Sequence, residues 1–149
     1  MSSSNYEATP KSGIIKIKGD NTGVVVVRSS EHTQEYTHGF TRTWGITGTT
    51  TGSTAISMAY GRLPSGSKAQ PHYHPFDTAI YTIAGRARLF YGEKLEFMID
   101  TKAGDFVYLP AGIIHAPEAY GDEDLQFVVA RTAPEDVYYL PGEGPAYGK

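Results

Sequence analysis

The chain has 149 residues, 40% of them hydrophobic and 19% charged, a balance that suits one folded domain and excludes a disordered chain. Thirteen Lys and Arg against sixteen Asp and Glu leave a formal charge of −3; no basic stripe gathers the cations, so neither nucleic acid nor a membrane surface is an expected partner. Cysteine is absent, which excludes disulfides, thiolate metal sites and thiol nucleophiles. Residues Met1 to Glu7 have neither a basic start nor an apolar stretch, so no signal peptide is expected and the cytoplasm is the default location.

Seventeen glycines and nine prolines punctuate segments rich in Thr, Val, Tyr and Ile, the pattern of many short strands joined by turns. No twelve-residue window carries helical periodicity, so an all-β fold is expected. Residues 1–12 read as a flexible arm, 13–132 as one β domain and 133–149 as a Pro/Gly-rich tail wrapping the surface or another subunit. In chain order, Ile14 to Lys18 and Val24 to Arg28 read as the first two strands. Thr37, Thr41, Thr43 and Thr47 recur on odd positions as in an edge strand, and Thr49 to Gly52 reads as a loop. Further strands are expected over Thr54–Tyr60, Gln70–His74, Thr78–Ala84, Ala87–Tyr91, Leu95–Ile99, Asp105–Leu109 and Leu125–Arg131, with another following His115. A sandwich or closed barrel is the natural architecture.

Of the five histidines, His72 and His74 are two apart, which on a strand puts both imidazoles on one face, half of a transition-metal site. His32 and His38 lie in a polar stretch and carry no such pattern. Tyr60 and Tyr108 are conceivable inward-pointing groups that could orient substrate or move a proton, although core packing is the better explanation of each.

Gly66, five residues, then His72-Tyr73-His74, with Gly85 closing the segment, resembles the first signature of the cupin superfamily. Gly104, five residues, Pro110, one residue, Gly112, two residues and His115 resembles the second. The resemblance implies an antiparallel jelly-roll barrel over residues 13–132, with His72, His74 and His115 pointing inward around one divalent transition metal per subunit (Fe, Mn, Ni or Zn). The family pattern puts a glutamate ligand where this chain has Thr78, and usually an asparagine where it has Ala119. Asp77 is one residue early and faces away unless a bulge intervenes, Gln70 shares a face with His72, and water is the expected occupant that completes the shell. Thr78, Ile80 and Thr82 have the parity of the expected ligand position and should line a mostly apolar pocket.

Three neutral ligands leave a metal its full charge and open positions for an anionic or chelating substrate. Similarity to small single-domain cupins implies a metal-dependent enzyme acting on a small organic molecule, polyketide cyclase/isomerase-like or dioxygenase-like. The alternative is a non-catalytic, small-ligand-binding cupin. The same resemblance implies a homodimer joined through N-terminal strands, for which Ile14–Lys18 and Val24–Val27 are suitable. With unperturbed imidazoles of pKa about 6.5, metal loss is expected below about pH 6, and retention at pH 4 would point to a carboxylate ligand, Asp77 first.

Overall fold

The computed structural model describes residues 24–28, 30, 33–37 and 39–149. The expected strand over Ile14–Lys18, the arm, and His32 and His38 lie outside the described residues. Among the described residues, nine strands form two antiparallel sheets: β1 (Thr33–Thr37), β2 (Phe40–Ile46), β3 (Ser57–Leu63), β4 (Thr78–Ala84), β5 (Arg86–Tyr91), β6 (Phe97–Lys102), β7 (Phe106–Leu109), β8 (His115–Tyr120) and β9 (Leu125–Arg131). One sheet runs β1-β2-β3-β9-β4-β7 and the other β6-β5-β8. No described helix is long and apolar enough to cross a membrane.

Period-two alternation builds the interior. On β9, Leu125, Phe127, Val129 and Arg131 are buried while the residues between them are half-exposed. Phe40, Ala59, Leu63 and Ala87 join them from β2, β3 and β5, with the Phe40 and Phe127 rings edge to face at 5.6 Å. The sheets meet through isolated antiparallel bridges, His72 with His115 and Lys68 with Glu118. These bridges carry the His72 segment across to β8.

Five expectations need correction. Gln70–His74, expected as a strand, makes only isolated bridges at His72 and Tyr73. Residues 24–28 form no strand. Thr49–Gly52, expected as loop, lies largely in a one-turn helix, α1 (Gly48–Thr51), because Thr47 and Thr50 form a reciprocal capping box and Gly52 closes the end in the left-handed region. The third strand starts at Ser57 rather than Thr54, since the Ser53 hydroxyl bonds both the N–H and the carbonyl of Ile56 and holds that segment in a turn. The sixth starts at Phe97 rather than Leu95, because Leu95 N–H closes a turn on Gly92 O with φ at 54°. The tail from Pro134 packs on the body: Tyr139 bridges Tyr73, and the Tyr73 hydroxyl donates to Glu143 O.

The β4–β5 corner gives a stability prediction. Gly66 and Gly85 both have positive φ, 81° and 83°, but a Cβ on Gly66 would meet nothing within 4 Å, whereas one on Gly85 would lie 2.5 Å from Asp124 O. Gly66→Ala should therefore cost about 1 kcal/mol, the left-handed penalty alone. Gly85→Ala should cost about 3 kcal/mol, because backbone on β9 must also shift. Equal midpoints in denaturant melts of the two variants would refute the steric account.

Candidate metal centre and buried arginine pair

His72 and His74 sit on the segment between β3 and β4, and His115 opens β8. His72 and His115 exchange both backbone hydrogen bonds, at 3.1 and 3.0 Å, and Gly112 N–H donates to His74 O at 2.8 Å. This cross-strand pairing, with the tight corner at Pro110–Gly112, sets the three rings together. One ring nitrogen of each lies within 4.8 Å of the others, and the three residues are 2%, 3% and 6% exposed.

Each ring is fixed by its Nδ1. His72 Nδ1 is 2.7 Å from Gln70 O, His74 Nδ1 2.8 Å from Val137 O, and His115 Nδ1 3.0 Å from Ile113 O. A carbonyl oxygen can only accept, so Nδ1 carries the proton in all three and Nε2 is the ring nitrogen that holds the lone pair. Burial pushes His115 down to about 3, despite its bond to Ile113, and burial likewise lowers His74. Neutral rings with this tautomer are what a divalent transition metal requires. The residues fit the group.

Neither supplementary candidate joins the cluster. Asp77 Oδ1 accepts from Ala111 N–H at 3.0 Å, across the corner and on the opposite parity from Thr78. The Gln70 side chain is exposed, and the residue contributes its carbonyl to His72 instead. Thr78, 2% exposed, lines a cavity of about 50 Å³ with Ile80 and Thr82. Tyr60 and Tyr108 do not border that cavity: the Tyr60 hydroxyl donates to Gln126 at 2.6 Å, and Tyr108 is exposed.

The sequence reading missed a buried charged group beside the histidines. Arg42 from β2 and Arg131 from β9 are 2% and 5% exposed and both border the cavity. Asp136, on the tail, sits at ion-pair distance from His74 Nδ1 (3.3 Å) and Arg131 Nη1 (3.4 Å). Burial alone would raise its carboxyl, but His74, Arg131 and Arg42 outweigh that and hold it well below the usual carboxylate range. Burial lowers Arg131 to about 10, still cationic at neutral pH. Arg131 Nη2 also lies 3.3 Å from His74 Nε2, so the guanidinium and a metal compete for one lone pair. Parity could have exposed both arginines: Arg42 is two residues from Phe40, and Arg131 ends the inward series from Leu125. Nothing in the sequence pattern marks Asp136.

The two antiparallel sheets and the buried three-histidine cluster resemble a cupin domain. Residues 59–131 match the family model described as Cupin domain. Among solved structures it is similar to oxalate decarboxylase from Bacillus subtilis at pH 4.6, at 23% identity and TM-score 0.66 over 78% of this chain and 31% of that one. A tryptophan-to-tyrosine variant of the Bacillus subtilis enzyme matches at 25% identity and TM-score 0.63, over 74% of this chain and 29% of that one. A further oxalate decarboxylase structure, addressing substrate binding and a reaction-specificity switch, matches at 23% identity and TM-score 0.68, over 83% and 35%. The chain spans about a third of the length of these neighbours. No curated protein matches it.

Proposed function

We propose that the protein is a divalent-metal-dependent cupin enzyme acting on a small organic molecule, its two sheets closing as a jelly-roll barrel around one Fe, Mn, Ni or Zn ion held by His72, His74 and His115. The observation that carries this reading is that all three Nδ1–H groups donate to backbone carbonyls, which makes Nε2 the lone-pair nitrogen on three buried, adjoining rings. When bound, the ion supplies Lewis acidity or, if redox-active, electron chemistry.

The chain's own residues do the rest. Thr78 adds no charge to the centre, Leu89, Leu109 and Val129 keep the cavity wall apolar, and the fixed Nδ1 protons prevent the rings from turning. A redox-inert metal favours polyketide cyclase-like or isomerase-like chemistry and iron favours dioxygenase-like chemistry. The likeness to oxalate decarboxylases supports a metal cupin without carrying over their reaction. The second reading is a non-catalytic small-ligand binder, favoured by Thr78 standing where the family pattern has glutamate.

Metal-stripped protein titrated with Mn²⁺, Zn²⁺ and, without oxygen, Fe²⁺ tests the centre by calorimetry and melting temperature. One ion per subunit is expected, with the melting temperature rising as the metal exceeds its dissociation constant. His72→Ala should abolish both effects. Unchanged stoichiometric binding by His72→Ala would overturn the assignment, and a metal-free variant that keeps its organic ligand would favour the binder.

A further inference from the structure

Arg42 and Arg131 have no task in the metal centre as described. A buried guanidinium costs desolvation and is retained where something pairs with it. Here the pairing is incomplete: Arg42 Nε and Nη1, Arg131 Nε and Thr78 Oγ1 are buried without a hydrogen-bond partner among the described residues. More than nine in ten buried polar groups are paired in folded proteins, so four such atoms, three of them guanidinium N–H donors, on residues bordering one cavity call for an acceptor there; Asp136 Oδ1, which does not border the cavity, also lacks a hydrogen bond. The charge points the same way. Among the described residues no Asp or Glu borders the cavity; Asp136 acts on both guanidiniums and Glu35 on Arg42, and the two guanidiniums feel each other's charge.

We infer that Arg42 and Arg131 form a buried anion subsite that receives a carboxylate of the substrate beside the three histidines. A guanidinium fork matches the two oxygens of a carboxylate in plane. The cavity, at about 50 Å³, has room for a small acidic group. Arg131 also links the subsite to the metal centre. A ligand on His74 Nε2 takes the lone pair that Arg131 Nη2 now approaches at 3.3 Å, and that N–H then needs a new acceptor. The inference gives the substrate class of the centre proposed above and rests on that reading for the claim that the bound acid reacts; binding of the acid does not depend on metal.

The test therefore uses metal-free protein. Malonate is titrated against its neutral isostere malonamide and against inorganic phosphate, with heat and melting temperature as readouts. Malonate should bind and raise the melting temperature, malonamide should not, and phosphate should bind at least tenfold more weakly. Arg42→Gln should weaken malonate at least tenfold, and Arg42→Lys, which keeps the charge without the fork, should fall between. Equal binding of malonate and malonamide, or a folded Arg42→Gln with unchanged malonate affinity, would overturn the subsite. If Arg42→Gln does not fold, Arg42→Lys and the malonate–malonamide contrast decide. Phosphate binding as tightly as malonate would replace the carboxylate by a phosphate-bearing ligand and so refute the inference as stated. Metal titration of the same preparations separates the two readings: loss of metal binding with malonate binding intact removes the metal centre alone, and the converse removes the subsite alone.

Discussion

Asp136→Asn should destabilise the protein by about 3–5 kcal/mol, the cost of removing one member of a buried ion pair. The carboxylate faces Arg131 Nη1 at 3.4 Å with side-chain exposures of 10% and 4%, and it also feels the charge of Arg42. Asparagine keeps the shape and one carbonyl acceptor but removes the negative charge, so Arg131 loses its paired carboxylate in a low-dielectric interior and Arg42 keeps only the weaker pull of Glu35. Surface ion pairs are worth at most about 1 kcal/mol, and the exposed Arg62–Asp124 contact is the internal control: Asp124→Asn should lose far less. For a chain of this length the first change corresponds to a melting temperature lower by about 10 °C. A double variant, Asp136→Asn with Arg131→Gln, should regain part of the loss, because it removes a charge left without its partner. Equal melting of Asp136→Asn and the parent would mean that the tail does not neutralise the arginines.

Legibility followed strict alternation. The strands Thr78–Ala84 and Leu125–Arg131 coincide end for end with the expected ones, because β4 and β9 are inner neighbours whose buried and exposed faces differ along their length. Where side-chain hydrogen bonds compete with the ladder, the pattern misleads: Ser53 ties down Ile56, Thr47 and Thr50 wind one helical turn, and neither effect shows in a hydrophobic period. The spacing of His72, His74 and His115 survived because it reflects a rigid corner and a two-residue exchange across strands. The arginines escaped notice because a charged residue is ordinarily read as surface, and the clue lay in the company it keeps on its own strand. Asp136 was beyond reach, since its place depends on the tail docking beside Tyr73 and His74, a long-range contact without a local signature.

Acid should weaken the metal-free fold by about 5 kcal/mol between pH 6.5 and 3, and the buried imidazoles set the window. His115 is pushed down by burial from 6.5 to about 3. Between those values the unfolded chain takes up a proton that the folded chain refuses, so stability is full above about 6.5 and falls by about 1.4 kcal/mol per pH unit below it. His74, also lowered by burial, adds a loss of the same sign. Asp136 acts the same way further into acid: its carboxyl is held below its ordinary value, so its contribution is present above about pH 4 and disappears as it protonates. The rings thus stay neutral where free imidazole would be charged, and proton competition for a bound metal moves below the pH 6 expected from sequence. Metal retained at pH 5 would therefore not require a carboxylate ligand, and Asp77 is already engaged with Ala111. Denaturant unfolding of metal-free protein at pH 7.5, 6, 5 and 4 measures the slope. His115→Gln, which cannot titrate, should flatten it by about one proton. A parent protein equally stable at pH 7.5 and 4 would show that these rings protonate as freely folded as unfolded, and so are not held neutral.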